Sequence, residues 1–163
     1  MKPGGSNPGP RPVTVPLPPA ERAALTERWN QLAPMRHLGA RGDFNHPDAV
    51  RITIEPLSDF HRGGLGTEAV NGAVIAGLCD AAIGMVGHLH TRGRRAGTAQ
   101  LNIMFIRPVQ GSRVTAIGRL IRAGTNLVFV EVNVEDEAGK LCARCDGIVA
   151  TAGHGPASES VAI

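Results

Sequence analysis

Between Ala69 and Gly87 the sequence AVNGAVIAGLCDAAIGMVG holds one charged side chain, Asp80. The spacing predicts a single long helix over roughly Ala69 to His88, with Asp80 at its middle. On such a helix the neighbours three and four residues away are Ala76, Gly77, Ile83 and Gly84, so the helix itself offers no basic partner. If the helix is buried, desolvation disfavours the ionised carboxyl and raises its pKa, and an acid so perturbed beside a cavity suits a general base or nucleophile. The bland alternative is an Asp80 that faces water or accepts backbone N–H groups of a neighbouring loop.

A second group stands at the start of the same helix. Asn71 is a good N-cap, and Gly72 as the first helical residue leaves a backbone N–H open at the positive end of the helix dipole. Such an N–H can polarise a carbonyl oxygen; plain capping is the other reading. Gly72 and Asp80 are eight residues apart, about 12 Å along the axis. One substrate carbonyl cannot touch both in one chain. If both act on it, the second must come from a symmetry-related copy, which predicts a two-fold dimer with composite sites.

The elements that must position these groups are legible as alternating patterns. Leu25, Trp29 and Leu32 recur at helical spacing after Pro19, predicting a short amphipathic helix over Pro19 to Leu32. Val50, Ile52 and Ile54 alternate with Arg51, Thr53 and Glu55 as a half-buried strand does. After the long helix, stretches near 96 to 107, 112 to 122, 126 to 135 and 140 to 151 are β-like. Connectors containing Pro108 and Gly111, then Gly124, then Asp136 and Gly139, are each short enough for a hairpin, so a four-strand antiparallel meander is expected. Val128, Val130, Val132 and Val134 share one face. In the first stretch Gly97, Ala99, Leu101, Ile103 and Phe105 read as the core face, which points Thr98 the other way.

The predicted class is therefore α+β, an antiparallel sheet around one long helix preceded by a short one. Residues 1 to 18, rich in Pro and Gly, are expected to form a flexible arm, residues 19 to 152 one domain, and 153 to 163 a flexible tail. A membrane span is disfavoured by Asp80 at mid-helix and by Gly72, Gly77, Gly84 and Gly87. Small residues, Gly72, Ala73, Ala76, Gly77, Ala81, Ala82 and Gly84, are expected to let the sheet hug the helix.

Three cysteines and a first segment without an apolar core point to a reducing cytosol. Cys142 and Cys145 form a lone C-x-x-C in a β-patterned run, short of the four ligands of structural zinc and away from the helix start that redox pairs favour. No metal and no cofactor are expected. Aromatic residues are 3% of the chain with no tyrosine, so the stacking platform of single-strand nucleic-acid binders is missing, and a net charge of +3 fits a small anionic ligand.

The run from Asn71 to Ala82 resembles the H-G-G-x-x-x-x-x-x-D-x-A helix start of hot-dog-fold acyl-CoA thioesterases of the phenylacetate-pathway type. Ala96 to Pro108 is similar to that family's next strand, and the Asp136 to Gly139 turn with Ala143, Arg144 and Gly147 is similar to its last hairpin. The likeness covers about residues 48 to 152. It implies a hot-dog fold, an acyl-CoA thioester of small or medium acyl or aryl group as substrate, and a homodimer or homotetramer. In that reading Asp80 activates water or attacks the thioester carbonyl, the partner's Gly72 amide polarises it, and Thr98 helps hold the water. Asn71 stands where the family usually has His, and the family's upstream Asn is absent. Ala73, Arg62, Gly64, Arg95 and Gly97 are the expected substrate-binding positions, with Arg92 and Arg94 as further partners for CoA phosphates.

Two other functions compete. Hot-dog hydratases carry Asp and His near G-D-x-N-P-x-H, which Gly42-Asp43-Phe44-Asn45-His46-Pro47 resembles with altered spacing; a turn explains it as well. A non-catalytic acyl-CoA binder would keep the pocket and be indifferent to Asp80→Asn.

Overall fold

The computed structural model describes residues 17–46, 49–64, 68–91 and 94–151. Of the expected arm, residues 1–16 lie outside the described residues, as do Arg92 and the tail from 153 onward. Two short helices, α1 (Pro19–Asn30) and α2 (Ala33–His37), lead into strands β1 (Ala40–Asp43) and β2 (Val50–Ile54). The long helix α3 (Gly72–Thr91) follows, and then β3 (Ala96–Phe105), β4 (Val114–Ala123), β5 (Leu127–Asp136) and β6 (Leu141–Thr151). The strands form one antiparallel sheet in the order β1-β2-β4-β5-β6-β3, with α3 packed against β2 through β6. This is the hot-dog arrangement.

Periodicity explains most of it. Val128, Val130, Val132 and Val134 are all buried toward α3, and Val50, Ile52 and Ile54 likewise. α3 answers with Ile75, Leu78, Cys79, Ala82, Ile83 and Val86. α3 is long and apolar enough to cross a membrane by length and composition, yet that stripe is spent on the sheet. The helix is seated closely where glycines allow it. A Cβ on Gly147 would lie 2.2 Å from Ile83 Cδ1, and one on Gly87 would lie 2.7 Å from Val149 Cγ2. The expected small-residue contact surface is thus corrected in detail: Gly77 faces Leu38 and Gly84 faces Trp29, so these glycines receive the N-terminal helices instead of the sheet.

The expected four-strand meander is also corrected. β4, β5 and β6 are joined by hairpins, but β3 pairs with β6 at the far edge. Its connector does not fold back on itself, because its backbone partners lie elsewhere. Ile106 and Arg107 N–H groups donate to Cys142 O, Val109 O accepts from Val70, and Ser112 O accepts from Leu57. The chain therefore crosses the end of the sheet before starting β4. β1 and α2 were not foreseen; β1 takes in Gly42 and Asp43, read from sequence as part of a turn.

Candidate active site

The start of α3 is held by a short network. His61 is buried; its Nδ1 accepts from the Ser58 N–H at 2.9 Å, which leaves Nε2 to donate to Leu38 O at 2.9 Å. The His61 carbonyl then accepts from Asn71 N at 2.8 Å. Asn71 caps α3 as expected: its Oδ1 accepts from Ala73 N at 2.8 Å, while its Nδ2 donates to Gly63 O at 2.9 Å. Both ends of that amide are occupied inside the chain, so its visible work is positional. With Ala73, Val74 and Ile75 N–H groups all served by Asn71, the Gly72 N–H has no acceptor among the described residues. The Phe105 ring lies alongside, 3.4 Å from where a Gly72 Cβ would stand.

Asp80 lies two turns further along α3 and, contrary to expectation, is exposed in the single chain. The reason is rotational: Leu78, Cys79, Ala82 and Ile83 take the sheet-facing side, which leaves Asp80 on the flank beside Ala73 and Ala76. Its charge reaches inward to two buried thiols, Cys79 and Cys145. Hydrogen bonding to Cys145, burial and the charges of Cys145 and Asp80 push the Cys79 thiol above the ordinary thiol range.

Thr98 illustrates what alternation alone misses. The β3–β6 register slips between Thr98 and Gln100, so Ala99 is a bulge. Leu101 pairs with Gly147 and Ile103 with Cys145, and beyond the bulge Thr98 pairs with Val149. Since Gly147 and Val149 pack on α3, Thr98 is on the helix side, with Leu101, Ile103 and Phe105. The expected parity of Gly97 and Ala99 is corrected for the same reason.

The remaining positions fall into two groups at opposite ends of α3. Near Gly72, Arg62 donates to Glu68 O at 2.8 Å and Gly111 O at 2.6 Å, pinning the loop to the crossover connector, and Gly64 adopts a φ of 121° beside Asn71. At the other end, Arg95 and Gly97 are exposed, and Arg94 donates to Thr91 O and Thr125 O. Asp43 and His46 lie 3.7 Å apart at the end of β1, where Asp43 Oδ1 accepts from Asn45 N as in a turn. β1 is the sheet edge opposite β3, so this pair is not beside Thr98. His61 was missed as a positioning residue; Ser58 three residues before it was the available signal.

A six-stranded antiparallel sheet around one long helix is the hot-dog architecture, here with a carboxylate on the helix flank and an open N–H at the helix start. Residues 68–143, which include Asn71, Gly72, Asp80 and Thr98, match the family model of the thioesterase superfamily. The "Medium/long-chain acyl-CoA thioesterase YigI" of Salmonella typhimurium is 30% identical over 89 residues, 46% of this chain and 57% of that protein. The chain thus spans little more than half the length of the curated relatives it matches. Among solved structures, the PaaI protein from the phenylacetic acid degradation operon of E. coli superposes with a TM-score of 0.69 at 17% identity, covering 82% of this chain and 93% of that one. A Shewanella oneidensis protein related to the thioesterase superfamily gives 0.70 at 20% identity, covering 82% and 97%.

Proposed function

We propose that the protein hydrolyses acyl-CoA thioesters in composite sites of a homodimer formed across β3. The observation that carries this reading is that Asp80 and the open Gly72 N–H lie on one exposed flank of α3, about 12 Å apart, beside an unpaired sheet edge. On that edge Leu101, Met104, Phe105 and Ile106 are 38%, 65%, 57% and 41% exposed, an apolar row that a second copy would cover. A two-fold axis there brings the Gly72 of one protomer toward the Asp80 of its partner.

In such a site the partner's Gly72 N–H, backed by the helix dipole, holds the thioester oxygen as it gains charge. Asp80 takes a proton from water as the water oxygen bonds to the carbonyl carbon. Collapse then breaks the C–S bond, and the departing CoA sulfur takes up a proton. Attack by the carboxylate itself, with water opening the resulting anhydride, uses the same placement. Thr98, on the helix side of β3, is available to hold the water. Arg95 at the rim is available to CoA phosphates. Three free buried thiols suit a reducing cytosol.

Thiol release from acetyl, octanoyl, palmitoyl and phenylacetyl-CoA, with wild type and Asp80→Asn, tests the reading. Turnover lost with Asp80→Asn supports it and ranks the acyl groups. Acyl-CoA binding by both proteins without turnover by either would leave a binding module, the reading that the fully engaged Asn71 amide favours.

A further inference from the structure

Away from Asp80 and Gly72, α1 crosses the C-terminal half of α3 and leaves a cavity of about 380 Å³ between them. That volume lies within the ~300–1,000 Å³ of small-molecule sites. Its apolar lining comes from Leu25 and Trp29 of α1, from Leu32 at the start of α2 and from Val149 of β6, and Gly84 keeps its floor open. A second cavity of about 540 Å³ adjoins it through Leu25, Arg28 and His88 and runs outward along Leu17 and Leu89.

The polar groups of the inner cavity are biased to donors. Arg28 is exposed and has no acidic partner among the described residues. Arg94 adds a second guanidinium, already shared between two carbonyls. The Trp29 indole N–H is buried without an acceptor among the described residues. His88 stacks edge-on against Trp29 at 5.8 Å. Among the described residues no carboxylate lines this cavity, and Glu21 lines only the outer one. An apolar trough with an unpaired cation at the junction of the two cavities complements a ligand with a hydrocarbon body and an anionic head.

We propose that this groove binds a free medium-chain carboxylate, its head on Arg28 and its chain along Leu25, Trp29, Leu32 and Gly84. Such an acid is of the class that the proposed hydrolysis releases, but the binding itself is measured without reference to turnover. A chain that hydrolyses no thioester can still show it, and an active thioesterase can lack it.

Trp29 is the only tryptophan, so its emission reports the groove directly. The full chain is titrated with octanoate and, in parallel, with 1-octanol, which has the same hydrocarbon body and no charge. The expected result is a saturable change with octanoate, weaker by about tenfold or more for 1-octanol and for octanoate with Arg28→Gln, as fits loss of one charge-assisted hydrogen bond. Gly84→Leu, placed where a Cβ would sit 3.8 Å from the Trp29 ring, should abolish saturation. Because Arg28 is exposed, its variant keeps the test valid if Gly84→Leu fails to fold. No saturable response to octanoate, or an equal response to the alcohol and in Arg28→Gln, overturns the proposal.

Discussion

Gly72→Pro isolates the one atom on which the proposed composite site depends. Proline is well accommodated at the first position of a helix, where its φ is already suitable, and the capping Asn71 before it can keep the extended backbone that proline demands. A Cβ there meets only the Phe105 ring at 3.4 Å, an ordinary contact. The substitution therefore deletes an N–H donor and little else. Loss of one such donor costs about 10²–10³ in kcat, or ~3 kcal/mol of transition-state stabilisation. Asp80→Asn, which removes the proposed base, should cost about 10²–10⁴. Co-expression of the two variants under different tags then separates the possible geometries. In a mixed dimer one site pairs the intact Asp80 of the first chain with the intact Gly72 of the second. Random assembly makes about half the dimers mixed, each with one of two sites whole, so activity returns to about a quarter of wild type. Thiol release is measured on the co-expressed sample and on mixed dimers purified through both tags, for which about half of wild-type activity is expected. A mixed sample no more active than either parent would refute the two-chain site.

Gly147→Val drives side-chain carbons into Ile83 and should cost about 1–3 kcal/mol through overpacking, read as a lower midpoint in thermal or urea unfolding. His61→Ala strips partners from the Ser58 N–H and Leu38 O and should cost about 1–3 kcal/mol, with reduced turnover because Asn71 loses its support. Burial holds His88 below the usual imidazole value of 6.5, helped by the Arg28 charge, and burial alone does so for His90. The unfolded chain then binds these protons more readily, so stability present above 6.5 is lost as pH falls toward the lowered folded values. Melting curves on either side of that pH should show the loss, and a His88→Gln, His90→Gln double variant should flatten it.

Local chemistry was the most legible part of the molecule. The valine ladder of β5, the Asn71 cap and the Asp136 turn depend on neighbours in the chain, and each stands where side-chain alternation or capping placed it. What escaped depends on distant partners. A connector with Pro108 and Gly111 looks like a hairpin until Cys142, Val70 and Leu57 claim its backbone groups. One bulged residue, Ala99, inverts the parity of Thr98, and no residue type at that point announces it. Asp80 was placed on the right helix, but which side of α3 the sheet covers is decided by Gly87, Gly118 and Gly147 acting together across the core.

The position of β3 has a consequence for how the chain is made. It leaves the ribosome directly after α3, yet the strand it pairs with, β6, is the last of the sheet to be synthesised. Throughout that interval Leu101, Met104 and Phe105 belong to a strand without its lateral neighbour, while β4 and β5 can already close their hairpin. Slow, non-local pairing of this kind leaves an apolar edge open to wrong partners. A chain that ends before Leu141 never supplies the missing neighbour, so a nascent fragment of that length is the species most in need of a chaperone.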